Sequence, residues 1–203
     1  MKLGVLGGTF DPIHYGHLAI AEECRVRLGL ERILFIPAGE PPHKRDRLIS
    51  PTRHRVAMVR LAIASNPWFE LSLIEVNRLG PSFTVDTLVR LREERGPETE
   101  MYFIVGTDAL AEIPTWHEPA QVVSLCQIVA VPRPGFEDFE PASLEWAIPG
   151  AARRIHVLAA PELRISSCDL RRRVADGLPI KYQVPEAVER YIYCHGLYRI
   201  PSA

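Results

Sequence analysis

Short apolar runs alternate with amphipathic segments along most of the chain. Four to eight apolar residues bounded by glycine or proline predict buried strands, and apolar positions three and four apart predict helices. The strands are expected at residues 2–6, 32–37, 68–76, 100–105, 127–131 and 154–159. The helices are expected at residues 15–29, 50–66, 84–95, 108–113, 119–125, 166–176 and 185–195.

Several of the predicted helix ends carry capping residues. Ser50 followed by Pro51 is typical of a helix start, as is Ser166 with Asp169 three residues later. Glycine follows the predicted helices at positions 96, 177 and 196, where it can end a helix.

This alternation of strands and helices predicts an α/β fold, a parallel sheet with helices on both faces. Residues 1–203 show no repeat and no convincing linker, so we expect one domain. Ligands of such sheets bind at the carboxyl ends of the strands. That rule places five segments near one rim: residues 7–17, 37–44, 106–108, 132–135 and 165–171.

Composition excludes several classes of function. Lys plus Arg number 24 against 25 Asp plus Glu, so no basic surplus supports general nucleic-acid binding. The sequence contains no apolar run of the roughly 18 residues that a membrane span needs, and no signal-peptide core. Four scattered cysteines fit neither a zinc site nor a disulfide framework, which favours a reducing cytoplasm.

Residues 7–17, with the sequence GGTFDPIHYGH, join the first strand to the first helix. The two leading glycines permit a sharp turn close to a ligand, and the helix start attracts an anion. His14 and His17 are three residues apart and can donate hydrogen bonds to phosphate oxygens from one side, with Gly16 leaving room for a nucleotide. A tight turn carrying two surface histidines, or a zinc-binding HxxH pair, would have the same spacing.

Two further segments supply positive charge. In residues 165–171 (ISSCDLR), a helix start with Ser167 and Arg171 predicts a phosphate-binding corner, although a plain helix start fits too. In residues 41–44 (PPHK), Lys44 is a compact charge on a stiff loop, and a merely basic loop is the alternative.

Two segments suit a nucleoside and a heteroaromatic ring. Asp108, directly after a strand, can accept both hydroxyls of a ribose or cap a helix. Trp116 can stack on a flat ring or pack in the core. Arg133 lies in an RPG turn after the fifth strand, where a stiff turn is the plain interpretation.

These motifs resemble those of the nicotinate-nucleotide adenylyltransferase family, within the nucleotidyltransferases that carry an HxGH motif. GGTFDPIHYGH matches the family form almost throughout, and PPHK, the GxD aspartate, the TW pair and RPG also match. ISSCDLR is similar to the family's ISSTxIR, with Cys168 in place of threonine, and PSFTVDT (81–87) is similar to PSYTxxT, with Phe83 in place of tyrosine. The similar segments extend from residue 2 to about 171.

The resemblance implies a Rossmann-like fold and transfer of the adenylyl group of ATP to nicotinate mononucleotide. The products would be nicotinate adenine dinucleotide and pyrophosphate, with Mg²⁺ as the cofactor that accompanies ATP. The nucleotide phosphate would attack the α-phosphorus in line, without a covalent enzyme intermediate. Pyridine-nucleotide (NAD) biosynthesis would be the pathway.

The resemblance also implies residue roles. The expected catalytic groups are His14, His17, Lys44 and Arg171. The expected ATP-binding residues are Gly7, Gly8, Thr9, Phe10, His14, His17, Gly106, Asp108, Ile165, Ser166, Ser167 and Arg171. The expected mononucleotide-binding residues are Lys44, Thr84, Trp116, His117 and Arg133.

Two alternatives from other classes stay open. A phosphopantetheine adenylyltransferase or a cytidylyltransferase could share the HxGH motif, and a nucleotide-binding regulator could retain the fold without activity. Pyrophosphate release from ATP and nicotinate mononucleotide distinguishes these possibilities. A homo-oligomer is possible, and the sequence does not determine the oligomeric state.

Overall fold

A computed structural model describes residues 1–40, 49–133, 135–136, 138–161 and 163–199 of the chain. Within these residues, six parallel strands form one sheet in the order β3-β2-β1-β4-β5-β6. The strands are β1 (Lys2–Gly8), β2 (Arg32–Pro37), β3 (Phe69–Leu71), β4 (Glu100–Gly106), β5 (Gln127–Val131) and β6 (Ile155–Val157). The strand order reverses direction at β1, so β1 and β4 form the switch point at which open α/β sheets bind ligands.

Seven α-helices connect or follow these strands in the described part of the chain. They are α1 (Tyr15–Leu28), α2 (Thr52–Ile63), α3 (Thr84–Arg95), α4 (Thr107–Ala111), α5 (Pro119–Leu125), α6 (Ser167–Ala175) and α7 (Glu186–Cys194). Gly29 ends α1 in the left-handed conformation, which glycine adopts readily. None of the described helices has the length and apolarity that crossing a bilayer requires.

Alternate residues of each strand face opposite sides of the sheet and enter two separate cores. On one face, strand residues such as Ile33 and Phe35 pack against α1, α2, α6 and α7. On the other face, residues such as Leu34 and Phe103 pack against helices α3, α4 and α5. The predicted fold class, a parallel sheet covered on both faces, is confirmed.

The third strand is shorter than predicted. The sequence alternates over residues 68–76, but only Phe69–Leu71 pair with β2. The chain then turns and buries Glu75, whose carboxylate accepts a hydrogen bond of 2.8 Å from the Thr87 hydroxyl on α3. The prediction of a long strand was wrong because a contact with α3 diverts this segment from the edge of the sheet.

The start of α2 also differs from the prediction. The helix begins at Thr52 with Pro51 at the capping position, and it ends at Ile63. Ser50 does not cap it, because it lies one residue before the capping position; its N–H donates to the Asp11 carboxylate and its carbonyl accepts from Arg55. By contrast, Ser166 caps α6 as predicted, accepting a hydrogen bond of 3.1 Å from the Asp169 N–H.

Candidate active site

A cleft of about 340 Å³ opens at the carboxyl ends of β1 and β4. We call it the central cleft. Its wall contains Gly7, Gly8, Thr9, Phe10, Asp11, His17, Phe103, Gly106, Asp108, Arg133, Ser167 and Arg171, with several apolar residues between them. Four of the five segments that the sequence placed near one rim therefore meet here.

A second pocket, of about 380 Å³, adjoins the central cleft. The two share Ile20, Val131 and Arg133, so they are parts of one continuous depression. Gly16, Ile165 and Ser166 line this adjoining pocket. The depression is therefore long enough to bind an extended ligand with a flat apolar group at one end.

Side-chain donors fix the carbonyl groups of the turn formed by residues 7–17. Arg55 donates to the Thr9 carbonyl at 3.0 Å, Arg171 to that of Asp11 at 2.7 Å, and Ser167 to that of Pro12 at 2.9 Å. Because the carbonyl and the N–H of a trans peptide point in opposite directions, the Arg55 hydrogen bond to the Thr9 carbonyl also fixes the direction of the Phe10 N–H. The turn is thus held by donors from two helices, α2 and α6, that are distant from it in sequence.

Phe10 adopts a backbone conformation that is unusual for a bulky residue. Its φ angle is 50°, in the left-handed region, and its side chain is buried. The ring packs edge-on against His17 at 5.1 Å and lies 6.0 Å from Phe35. These packing contacts hold a strained turn in one shape next to the cleft.

His14 and His17 lie together at the start of α1. Their rings stack with centroids 3.7 Å apart, and the His14 N–H donates to His17 Nδ1 at 3.2 Å. His17 lines the central cleft, whereas His14 is only 3% exposed and does not line it. The alternative of two surface histidines is therefore not what the structure shows.

Burial determines the charge of His14. Desolvation, together with the positive charge of Arg133, lowers the pKa of His14 from 6.5 to about 4. Its Nδ1 atom is buried without a hydrogen-bond partner among the described residues. The ring is therefore neutral near pH 7 and keeps one unused polar atom beside the site.

Gly16 is required by this arrangement. A Cβ atom at this position would lie 3.0 Å from His14 Nδ1 and 3.1 Å from its Cε1. Any side chain would therefore press on the buried imidazole and also fill part of the adjoining pocket, which Gly16 lines.

Asp108 and Arg133 meet above Gly106. A Cβ on Gly106 would lie 2.3 Å from Asp108 Oδ1 and 3.0 Å from the Arg133 side chain. The Arg133 N–H donates to the Thr107 hydroxyl at 3.0 Å, which connects the turn after β5 to the start of α4. Gly106, and not Asp108, occupies the capping position of α4, so the capping alternative for Asp108 does not hold.

Trp116, His117 and the segment before α3 form a separate group beside the cleft. Trp116 is half-buried and packs edge-on against Phe103, a residue of the cleft wall, at 6.1 Å. The exposed His117 ring lies 4.6 Å from the Phe83 ring, next to Thr84 at the start of α3. The structure thus brings Thr84, Trp116 and His117 to one side, with Phe103 between that group and the cleft.

The predicted site residues fall into three sets. Lining the depression are Gly7, Gly8, Thr9, Phe10, His17, Gly106, Asp108, Arg133, Ile165, Ser166, Ser167 and Arg171. Lining neither of its two parts are His14, Thr84, Trp116 and His117. Lys44 lies outside the described residues.

Sequence reasoning missed Arg55 and Tyr198. Arg55 is 1% exposed and donates four hydrogen bonds, to the carbonyls of Ser50, Thr9 and Gly39 and to the Thr52 hydroxyl. Its signal was a basic residue at a helix position three, four and seven residues before the buried Met58, Val59 and Ala62. Nothing local indicated that the Tyr198 hydroxyl donates to the Asp11 carboxylate, 187 residues away in sequence.

The fold and the site point to one class of protein. A parallel sheet in the order 3-2-1-4-5-6, with the turn of residues 7–17 at its switch point, is the architecture of Rossmann-like nucleotide-binding domains. The family model described as cytidylyltransferase-like matches residues 5–173, so the chain belongs to that family of nucleotidyltransferases.

Full-length relatives narrow the class. A protein of Roseiflexus sp. (strain RS-1), described as a "probable nicotinate-nucleotide adenylyltransferase", is 54% identical over 97% of this chain and 98% of its own length. A protein of the same description from Thermomicrobium roseum is 46% identical over all of this chain and 94% of its own length. The chain therefore belongs to the nicotinate-nucleotide adenylyltransferase family, which confirms the resemblance drawn from its motifs.

Solved structures agree on the fold. The Plasmodium falciparum nicotinic acid mononucleotide adenylyltransferase complexed with APC superposes with a TM-score of 0.78 at 21% identity, covering 97% of this chain and 96% of that one. The same enzyme complexed with NaAD gives a TM-score of 0.77, also at 21% identity, covering 97% of both chains.

Proposed function

We propose that this protein transfers the adenylyl group of ATP to nicotinate mononucleotide, releasing pyrophosphate and forming nicotinate adenine dinucleotide for NAD biosynthesis. The observation that carries the proposal is the meeting of His17 and Arg171, from opposite ends of the family match, on the wall of one cleft. Family membership at 54% and 46% identity supports the choice of substrates.

The triphosphate of ATP lies in the central cleft under this proposal. The turn of residues 7–17, Ser167 at the start of α6 and the Arg171 guanidinium offer N–H, hydroxyl and positively charged donors to phosphate oxygens. The transfer asks the protein mainly to align the two phosphates and to stabilise negative charge as the pyrophosphate leaves. His17 donates to the bridging phosphate oxygens, and Lys44 adds charge.

The adenosine of ATP extends from the cleft into the adjoining pocket. Asp108, a carboxylate on the cleft wall, accepts hydrogen bonds from ribose hydroxyls, and Gly16 and Ile165 leave a mostly apolar surface for the adenine. Arg133 lies where the two parts meet. That position suits contact with the phosphates of either substrate.

His14 has a supporting place in this scheme. Its ring backs His17, and its buried Nδ1 is one of the few polar atoms near the cleft with no partner among the described residues. Polyphosphate bound against His17 would supply negative charge close to the pair. His14 would then donate to phosphate after a small shift of the two rings.

The nicotinate ring lies beside Trp116, which is half-buried and retains surface for stacking. His117 and Thr84 come from two segments that meet through the Phe83–His117 contact. Main-chain N–H groups there donate to the nicotinate carboxylate. An acid is favoured over the neutral amide because these groups are donors.

Mg²⁺ enters the proposal with ATP. Within the described residues no group of three His, Cys, Asp or Glu side chains is placed to hold a metal ion. Mg²⁺ often binds through one or two carboxylates together with substrate phosphates, and Asp108 places a carboxylate on the cleft wall. The residues therefore fit a metal bound chiefly by the triphosphate, which would neutralise charge on the leaving pyrophosphate.

Location and assembly belong to the proposal as well. All four cysteines are free, and Cys168 and Cys194 are exposed, which suits a reducing cytoplasm. A homo-oligomer is compatible with this function, and light scattering after size exclusion measures its mass.

The test is pyrophosphate release measured with ATP, Mg²⁺ and each of three acceptors: nicotinate mononucleotide, nicotinamide mononucleotide and phosphopantetheine. We expect turnover with the first and a large preference for it over the second. Preference for the amide would overturn the substrate assignment alone. No pyrophosphate with any acceptor would favour the nucleotide-binding regulator instead.

A further inference from the structure

A tyrosine near the carboxyl terminus reaches the phosphate-binding turn. The Tyr198 hydroxyl donates to Asp11 Oδ1 at 2.7 Å, and the Ser50 N–H donates to Asp11 Oδ2 at 3.0 Å. Asp11 is 3% exposed, so both oxygens of a buried carboxylate are fixed by groups distant in sequence. Tyr198 itself does not line the central cleft.

Asp11 connects this contact to the cleft wall. Its main-chain carbonyl accepts the 2.7 Å hydrogen bond from Arg171, whose side chain lines the cleft. A rotation of Asp11 about its backbone would therefore move the acceptor that orients Arg171. It would also move Phe10, the preceding residue, whose ring packs against His17.

Two features of Tyr198, its backbone conformation and its burial, indicate that the hydrogen bond to Asp11 is a specific one. Its φ angle of 64° lies in the left-handed region, which is unfavourable for a residue other than glycine. Burial and the neighbouring Asp11 charge raise the pKa of Tyr198 far above its usual range, so the hydroxyl remains a donor. The chain thus adopts an unfavourable backbone conformation at the point where it supplies this hydrogen bond.

We propose that Tyr198 is a positioning residue for the adenylyl transfer, acting through the Asp11 carboxylate to hold the phosphate-binding turn and Arg171 in place. The inference rests on the proposed function. It gives the carboxyl-terminal segment a role in ATP binding that its sequence did not indicate.

The test compares Tyr198→Phe with Tyr102→Phe. Each substitution removes one hydroxyl that donates to a carboxylate, since the Tyr102 hydroxyl donates to Glu100 Oε2 at 3.3 Å. Tyr102 and Glu100 lie at the amino-terminal end of β4, the edge of the sheet opposite the cleft. Tyr102→Phe therefore controls for loss of a buried hydroxyl that is not connected to the site.

For Tyr198→Phe we expect kcat/KM for ATP to fall about tenfold, as for loss of a hydrogen bond to a charged group. The KM for nicotinate mononucleotide should stay within about twofold of wild type, and inorganic tripolyphosphate should bind several-fold more weakly by calorimetry. Tyr102→Phe should change none of these values. A merely structural role for Tyr198 would lower the melting temperature of Tyr198→Phe without separating the two substrates.

A double-mutant cycle tests the path through Asp11. In an Asp11→Asn background, Tyr198→Phe should cause little further loss, because residues in one hydrogen-bond network are not additive. Full additivity, or unchanged ATP kinetics and tripolyphosphate binding in Tyr198→Phe, would overturn the inference. If the wild type releases no pyrophosphate, the proposed function fails, and tripolyphosphate binding still decides whether Tyr198 positions the turn.

Discussion

The buried imidazole of His14 makes the stability of this protein depend on pH. In the unfolded chain the ring has its ordinary pKa of 6.5, whereas in the folded protein the pKa is lowered to about 4. Between these values the unfolded chain binds more protons, so stability is present above pH 6.5 and is lost as pH falls toward 4. At about 1.36 kcal/mol per pH unit, the loss from this one group is roughly 2 kcal/mol at pH 5 and about 3 kcal/mol near pH 4.

The measurement is urea unfolding of wild type and His14→Asn at pH 7, 6 and 5, followed by tryptophan fluorescence. His14→Asn removes the titration, so its free energy of unfolding should decline less with falling pH. The difference between the two proteins should shift by about 2 kcal/mol in favour of the variant between pH 7 and pH 5. Other titrating groups cancel in this difference.

The exposed His156 provides the matched control. His156→Asn removes an imidazole that lies at the surface, so it controls for the effect of the substitution itself. If the His14→Asn difference stays constant between pH 7 and pH 5, then burial does not hold the His14 ring neutral, and the reasoning about its place behind His17 is wrong.

Three further predictions concern catalysis and packing. His17→Ala should lower kcat by a factor on the order of 10²–10³ while the protein still folds, because a donor to the transferring phosphate is lost; normal turnover would refute its role. Gly106→Ala should raise the KM for ATP several-fold, since its Cβ would lie 2.3 Å from the Asp108 carboxylate, whereas unaltered ATP kinetics would show that Asp108 is not used. Leu88→Ala, at a fully buried position of α3, should lower the free energy of unfolding by about 2–5 kcal/mol in the same urea assay; a loss below about 1 kcal/mol would mean that this core collapses around the gap.

The central cleft depends on hydrogen bonds between residues that are far apart in sequence. Ser167 and Pro12 are 155 residues apart, Arg171 and Asp11 are 160 apart, and Tyr198 and Asp11 are 187 apart. In each pair, one of the two residues belongs to the turn of residues 7–17. A substitution near the carboxyl terminus can therefore change the geometry of the central cleft without lying in its wall.

Local sequence determined much of this protein. The strands β1, β2, β4 and β5 and the cap of α6 by Ser166 follow from apolar periodicity and capping chemistry, which act among near neighbours. The motifs of residues 7–17 and 165–171 could be recognised from the sequence because each is a short continuous segment. Their meeting at one rim followed from the rule for parallel sheets.

Tertiary structure decided the rest. It shortened β3, since the burial of Glu75 against Thr87 competes with strand pairing. It turned Ser50 from the expected helix cap into a donor to Asp11. These outcomes depend on which distant segments pack together, and periodicity carries no information about that.

Tertiary structure also determined the charge of His14 and which of the two histidines lines the cleft. His14 and His17 look alike in the motif, yet one is buried and the other lines the cleft. Desolvation, the largest cause of the lowered His14 pKa, is a property of the packed protein. The sequence thus specified most strands and helices and the turn of residues 7–17. Three-dimensional packing determined how that turn is held and kept the His14 ring neutral.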